Sequence, residues 1–331
     1  MPRTVRWGIL APGHIANKQA GDLLAAGFDV AAVGSRSSGN AQRFAERFGI
    51  RTAHGSYDEL VTDPEVDAVY VASPHSHHYE HSRMALEAGK HVLCEKPFTV
   101  TARQAAVLVE LAEEKGLVLL EAMWTRFLPH MVRIREIIAA GTIGEVRTVI
   151  ADHLQKLPTD PAHRLNDPGL AGGALLDLGI YPISFVWDIL GAPDTVHAVG
   201  SLSETGVDRS TSVLFGYAGG QQAIVTTALD AVGPNTAAVI GTEGWIAIDA
   251  TWYAPTTVTV RASDGSVLEQ FDGSVTGEGS QFQAFELERL VGAGLTAGTI
   301  LPPSESAAIM GALDEIRRQI GLDYPADIIG V

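Results

Sequence analysis

Lys96 has a side chain and a position in the sequence that suit a chemical role. It follows the strand-like run HVLC and Glu95, and Pro97 fixes the backbone directly after it. A lysine ammonium is costly to desolvate. At a strand end it is therefore either exposed to solvent or takes part in binding or catalysis. We expect Lys96 to open into a ligand crevice, Glu95 to be mainly structural, and the Lys96–Pro97 bond to be a candidate for the cis form.

Asp177 and Tyr181 form a second candidate pair, in the segment GGALLDLGIYP at 172–182. Residues four apart share a face of a continuous helix, but Pro182 belongs in a first turn rather than a helix interior. We therefore expect a short turn carrying Asp177 and a new helix from about Pro182. The alternative for Tyr181 is a half-buried structural aromatic.

The run VRWGIL is followed by the turn APGHIA and a helix-compatible stretch. A tight turn between a strand and a helix leaves backbone N–H groups free, and these bind the pyrophosphate of a dinucleotide. The three small positions of the usual fingerprint are Ala11, Gly13 and Ala16, so the first glycine is replaced. His14 and Ile15 begin the helix and are candidate cofactor contacts.

The second predicted strand ends in GSRSSGN, with Ser35 and Arg36 where NAD-dependent enzymes carry an acidic residue. A guanidinium binds a phosphate in fork geometry, so this segment favours the 2′-phosphate of NADP. The alternative is a solvated arginine in a polar loop.

Four histidines lie in SPHSHHYEH, where the next predicted strand meets a helix. Imidazoles are common metal ligands, but no cysteine lies beside them, and the adjacent His77 and His78 point in different directions in most backbone conformations. No metal site is expected. Instead Ser73, Pro74 and His75 are expected to form a loop against the nicotinamide, with His78 at the helix start.

The composition limits the partners and the compartment. The 331 residues carry a formal net charge of −16, which disfavours binding to nucleic acids or acidic membranes. Cys94 is the only cysteine, so no internal disulfide is possible. The sequence begins without the pattern of a secretion signal and has no obvious membrane span, which predicts a cytoplasmic protein.

The elements that carry these residues change character along the chain. Up to about residue 120, strand-like runs alternate with amphipathic helices, which predicts an α/β domain with a parallel sheet. From 195 to 272, strand-like runs are separated by AGG, GTEG and SDGS, which predicts a largely antiparallel sheet. The predicted domains are 1–123 and 124–331.

The motifs together resemble the glucose–fructose oxidoreductase/inositol dehydrogenase (Gfo/Idh/MocA) family. The resemblance rests on the first turn, SPHSHH, CEKP and GGALLDLGIYP. Five further segments are similar to the branch of dimeric dihydrodiol dehydrogenases and NADP-dependent D-xylose dehydrogenases, namely RWGI, EAMWTRF, TGVD, NTAAVIGTEG and GLDYP. They occur in order from one end of the chain to the other.

This resemblance implies an N-terminal Rossmann domain and a C-terminal α+β domain whose open sheet forms a homodimer interface. It implies NADP(H) and hydride transfer at a hydroxyl or carbonyl carbon of a sugar or trans-diol. The substrate positions implied are Lys96, Asp177 and Tyr181, with Trp124 and Arg164 as further candidates. The cofactor positions implied are Ala11, Gly13, His14, Ile15, Ser35, Arg36, Ser73, Pro74, His75, His78, Glu95, Lys96, Trp124 and Arg126.

Hydride transfer to or from an alcohol carbon also needs a proton-transfer group. Tyr181 is the expected group, with Lys96 lowering its pKa; Lys96 acting alone as the base is the alternative. A catalytically silent dinucleotide-binding sensor is a second functional class that this fold supports. The presence of Lys96, Asp177 and Tyr181 favours the enzyme.

Overall fold

The computed structural model describes residues 5–331, and these divide into two compact units. The first contains residues up to 124, 277–307 and 330–331; the second contains 125–276 and 308–329. The change of unit after Trp124 falls where the sequence pattern changes. The predicted second domain differs from the second unit, because residues 277–307 belong to the first.

The first unit is built on a six-stranded parallel sheet with the order β3-β2-β1-β4-β5-β6. Helices separate the strands along the chain, so the predicted α/β domain is confirmed. Its strands are β1 (Arg6–Leu10), β2 (Asp29–Gly34), β3 (Thr52–His54), β4 (Ala68–Val71), β5 (His91–Glu95) and β6 (Leu119–Ala122). Its helices are α1 (His14–Ala25), α2 (Ser38–Phe48), α3 (Tyr57–Thr62), α4 (His78–Glu87) and α5 (Ala102–Lys115).

The helix Gln281–Ala293 joins this unit through its contacts with α1 and β1. The Asp22 carboxylate accepts hydrogen bonds from the backbone N–H and the hydroxyl of Ser280, at 2.9 and 2.8 Å. The Trp7 indole donates to Glu288 at 3.0 Å, and the rings of Phe28 and Phe285 lie 4.7 Å apart. These contacts connect residues more than 250 positions apart, which is why the local pattern placed this helix in the other domain.

The second unit contains an eight-stranded sheet with the order β14-β13-β12-β11-β7-β10-β9-β8. Only β10 and β7 pair in parallel, so the predicted largely antiparallel sheet is confirmed. Its strands are β7 (Val146–Leu154), β8 (Thr195–Leu202), β9 (Asp208–Gly216), β10 (Gln222–Ala228), β11 (Ala237–Gly241), β12 (Gly244–Ile248), β13 (Thr257–Ala262) and β14 (Val267–Asp272). The other α-helices of residues 5–331 are α6 (Pro129–Ala139), α7 (Ile180–Leu190), α8 (Gln281–Ala293), α9 (Pro303–Ile320) and α10 (Ala326–Ile329), of which α8 belongs to the first unit.

The two faces of this sheet differ in burial. On β7, Val149, Ala151 and His153 are buried, whereas Ile150 is 42% exposed. This alternation is expected of an antiparallel sheet with one face packed on a core.

One helical stretch among residues 5–331, Pro168–Leu190, is long and apolar enough to cross a membrane. Because 83% of its most apolar window is buried inside the structure, this stretch has the character of a core helix.

Candidate active site

The turn between β1 and α1 has the geometry expected of a pyrophosphate-binding turn. Ala11 has φ of +69°, a left-handed conformation that favours glycine, which accounts for the glycine usual at this position. The Ala11 amide donates to the Gly34 carbonyl and the Gly13 amide donates to the Ala11 carbonyl. A Cβ on Gly13 would meet no atom of the described residues within 4 Å, so the space at the start of α1 is open.

The start of α1 also has the electrostatic character that an anion requires. Its first turn contains no acidic residue, and no side chain of residues 5–331 caps it. A helix start has free N–H groups and a positive partial charge, so the residues here fit a dinucleotide pyrophosphate. His14 and Ile15 are exposed at this helix start.

A cavity of about 460 Å³ lies beside Arg36 in the first unit. Arg36 lines it with Tyr57, Pro74, His77 and His81. Burial raises the pKa of the Tyr57 phenol, while the nearby positive charge of Arg36 opposes this shift. Arg36 thus projects an exposed guanidinium into a concave site, as a phosphate-binding residue should.

The neighbouring hydroxyls have structural roles. Ser35 is buried, and its hydroxyl accepts a hydrogen bond from the Ser37 amide at 3.3 Å. Ser37 is the N-cap of α2 and accepts from the Asn40 amide at 3.4 Å.

The loop after β4 is held by His78, the first residue of α4. Its ring is fully buried, with Nδ1 at 2.7 Å from the Pro97 carbonyl oxygen and Nε2 at 2.9 Å from the Ser73 carbonyl oxygen. Burial lowers the pKa of His78, whereas the two carbonyl oxygens, each of which needs an N–H donor, oppose this shift. The imidazole therefore fastens the Ser73–Pro74–His75 loop to the segment after β5, and His75 lies buried in that loop.

Lys96 follows β5 at the carboxyl edge of the parallel sheet, where open α/β sheets bind ligands. The Lys96–Pro97 peptide bond is cis. The Glu95 carboxylate accepts hydrogen bonds from the Tyr70 hydroxyl at 2.5 Å and the Lys96 amide at 3.2 Å. The Phe98 amide donates to the buried Glu121 carboxylate at 3.0 Å. Glu95 and Glu121 thus fix the backbone around Lys96, whose side chain is half-buried.

Trp124 and Arg126 follow β6 but lie in different units. Trp124 is half-buried at the end of the first unit. Arg126 is buried within the second unit, where its guanidinium donates to the Ser184 carbonyl and lies 3.6 Å from the Asp188 carboxylate. These contacts support α7, and the cofactor contact of Arg126 stays a prediction.

Asp177 lies on a π-helical segment, Leu175–Gly179, that continues directly into α7. The expected break before Pro182 is therefore wrong. A proline has no N–H to donate to the preceding turn, and the wider π turn lets the helix continue past it. Asp177 is nearly buried, and its carboxylate lies 3.4 Å from the half-exposed Arg164 guanidinium.

The paired glycines of the GGALLD segment pack against buried groups at the start of this helix. Gly173 has φ of +120°, and a Cβ there would lie 2.2 Å from an Asp208 oxygen. The Asp208 carboxylate accepts from the Leu175 amide at 2.9 Å and the Thr211 hydroxyl at 2.7 Å. Burial raises the pKa of Asp208 to about 6. Asp208 thus anchors the helix that carries Asp177.

Tyr181 belongs to an aromatic cluster that the sequence did not reveal. Its ring centroid lies 5.1 Å from that of His153 and 5.4 Å from that of Tyr253, and the rings of His153 and Tyr253 stack at 3.9 Å. The Gln155 amide contacts His153 Nε2 at 2.8 Å and the Tyr253 hydroxyl at 2.9 Å. The one feature that could have indicated this cluster is the position of His153, which points inward on a strand with alternating burial.

Comparison with known proteins supplies the family. Residues 5–123 match the model of the GFO/IDH/MocA oxidoreductase family with an NAD-binding Rossmann fold, and residues 131–247 match the GFO/IDH/MocA C-terminal domain. The chain belongs to the Gfo/Idh/MocA oxidoreductase family.

Several members of this family are similar over nearly their whole length. The chain is 38% identical to trans-1,2-dihydrobenzene-1,2-diol dehydrogenase of Mus musculus, covering 98% of this chain and 99% of that protein. It is 39% identical to D-xylose 1-dehydrogenase (NADP(+)) of Hypocrea jecorina, covering 98% and 94%. The solved 3-ketoreductase KijD10 of Actinomadura kijaniata, in complex with NADP and TDP-benzene, is 29% identical with a TM-score of 0.84, covering 96% and 98%.

Membership of the Gfo/Idh/MocA family confirms the expected fold class and branch. It also confirms that the protein is an oxidoreductase that binds a nicotinamide dinucleotide. The enzyme is thereby favoured over the silent sensor. The structure places the candidate residues in two sets, one per unit. Arg36, the His78 loop and Lys96 belong to the first, whereas Arg164, Asp177 and Tyr181 belong to the second.

Proposed function

We propose that this protein is an NADP(H)-dependent dehydrogenase/reductase that interconverts a hydroxyl and a carbonyl group of a sugar or a vicinal trans-diol. The observation that carries the proposal is Tyr181, held in an aromatic cluster one helical turn after the buried Asp177. The similar dihydrodiol and D-xylose dehydrogenases support this substrate class.

The bound nicotinamide supplies or accepts the hydride, so the residues of the chain must bind the substrate and move one proton. Tyr181 exchanges this proton with the substrate oxygen. A free phenol titrates near ~10, and an ammonium beside it favours the phenolate. Lys96 is proposed to have this role and to orient the substrate. Asp177, restrained by Arg164, accepts a hydrogen bond from a second substrate hydroxyl.

The preference for NADP(H) over NAD(H) rests on Arg36. Its guanidinium lines a cavity, and the segment Ser35–Ser38 after β2 contains no carboxylate to bind the ribose hydroxyls of NAD. The D-xylose dehydrogenase relative, which uses NADP(+), supports the same preference.

We also propose that the protein is a cytoplasmic homodimer formed through the open face of the second unit's sheet. A row of outward side chains crosses that face in register, with Leu214 opposite Ile224, Ile224 opposite Ile150, and Ile150 opposite Ala238. Leu214, Ile224 and Ile150 are each 41–46% exposed. A contiguous apolar row of this kind is typical of a protein–protein contact.

The test of the catalytic proposal is a substrate screen. Purified protein is incubated with NADP+ and with aldoses, anhydrosugars or vicinal trans-diols, and reduction of the nicotinamide is followed by absorbance. We expect turnover with at least one member of these classes, and much slower turnover with NAD+. Protein that binds NADPH but turns over none of these compounds, nor the corresponding carbonyls, would contradict the proposal.

A further inference from the structure

Three potential metal ligands converge at the beginning of α4. His77, Glu80 and His81 each offer one ligand atom, and these atoms all lie within 4.8 Å of one another. His77 Nδ1 is 3.7 Å from a Glu80 carboxylate oxygen, and the imidazole rings of His77 and His81 stack with centroids 5.4 Å apart. The spacing i, i+3, i+4 places all three on one helix face.

Two of these side chains are exposed to solvent, and the third has a ring nitrogen without a hydrogen-bond partner among residues 5–331. His77 and Glu80 side chains are 40% and 68% exposed, so an ion can reach them. His81 is buried, and its Nδ1 has no hydrogen-bond partner among residues 5–331.

We propose that His77, Glu80 and His81 bind a divalent transition-metal cation of the zinc class on the wall of the cavity that also contains Arg36. Two imidazole nitrogens and one carboxylate oxygen are a donor set that suits Zn²⁺. Around a tetrahedral Zn²⁺, ligand atoms at ~2.0–2.2 Å from the metal are about 3.3–3.6 Å from one another. The ligand atoms lie within 4.8 Å of one another, so the exposed His77 and Glu80 side chains must move to reach this geometry.

The charges around the cluster predict moderate affinity. The Glu80 carboxylate attracts a cation, whereas the Arg36 guanidinium, which also lines the cavity, repels it. Three protein ligands leave a fourth coordination position for water or another ligand, as in an open three-ligand zinc site.

The test is isothermal titration of untagged, chelator-treated full-length protein with ZnCl2, in the absence of cofactor. We expect one Zn²⁺ per chain, and no binding of Mg²⁺, which prefers oxygen ligands. His77→Asn, Glu80→Gln and His81→Asn should each weaken Zn²⁺ binding at least about tenfold. His197→Asn, which removes an exposed histidine from β8, is the matched control and should bind Zn²⁺ like the wild type.

His81 packs against Tyr57, so its replacement also removes a packing contact, and the exposed His77 and Glu80 provide the decisive comparison. Co²⁺ provides a second readout, since a site with imidazole ligands gives it a visible absorption band that His77→Asn should abolish. Absence of stoichiometric Zn²⁺ binding, or equal affinity in the wild type, His77→Asn and Glu80→Gln, would overturn the proposal.

Discussion

At the scale of single residues, Tyr181 is the most direct test of the proposed mechanism. General acid–base catalysis is typically worth ~10²–10⁴-fold in rate, so Tyr181→Phe should lower kcat by that order. The phenyl ring preserves the packing on His153 and Tyr253, so cofactor binding should be unchanged. Steady-state kinetics and a pH–rate profile measure the effect. A near-normal kcat with an unaltered profile would assign the proton to Lys96 instead.

Arg36 is the residue that we expect to determine the choice of cofactor. Loss of a charge-assisted phosphate contact of ~1.5–3 kcal/mol predicts roughly ten- to hundred-fold weaker NADP binding in Arg36→Ala, with NAD binding little changed. Fluorescence titration with both cofactors measures this. Arg43→Ala, which removes an exposed arginine of α2, is the matched control and should bind both cofactors like the wild type. Equal losses for NADP and NAD would remove the phosphate assignment.

At the scale of elements, the β1–α1 turn contains a left-handed alanine. A non-glycine residue in this conformation costs about 1–2 kcal/mol, whereas glycine adds unfolded-state entropy worth about 0.4–1 kcal/mol. The first effect is larger, so Ala11→Gly should raise the free energy of unfolding by about 0.5–1 kcal/mol. Ala16→Gly, inside α1, should lower it. Denaturant unfolding compares the two; a destabilised Ala11→Gly would contradict the left-handed conformation.

The start of the Asp177 helix should give stability a measurable pH dependence. Asp208 has its pKa raised from 3.8 to about 6 in the folded state, so the folded protein holds a proton there that the unfolded chain releases. Its contribution to stability is therefore lost as pH rises from about 4 to 6. Asp208→Asn removes this titrating carboxyl group. The free energy of unfolding of the variant, relative to that of the wild type, should therefore rise by up to about 3 kcal/mol across that pH range. Unfolding curves with a pH-independent difference would contradict the burial of a titrating carboxylate.

At the scale of the whole molecule, the open sheet face predicts the oligomeric state. Ile224→Lys places a charge in the middle of the apolar row and should convert the proposed dimer into monomers. Val232→Lys is the matched control, because Val232 is 82% exposed and lies outside the strands. Sedimentation velocity at micromolar concentration distinguishes the two results, and a monomeric wild type would contradict the proposed dimer.

The sequence predicted what local periodicity and short motifs encode. Lys96 could be placed at a sheet edge because parallel strands end at one edge. The aromatic partners of Tyr181 could not be predicted, because His153 and Tyr253 come from segments a hundred residues apart whose contact depends on tertiary packing. The continuous helix through Pro182 was not predicted, because a π turn relieves the constraint that proline imposes. No residue pattern in the sequence indicates such a turn.

The return of residues 277–307 to the first unit has a consequence for protein synthesis. A ribosome releases β1 to β6 and their helices long before it makes α8, because residues 125–276 of the second unit are translated in between. During that interval the ring of Phe28 and the carboxylate of Asp22 lack their partners Phe285 and Ser280. The cofactor-binding unit therefore stays incomplete until most of the second unit has been translated, although its sheet is translated first.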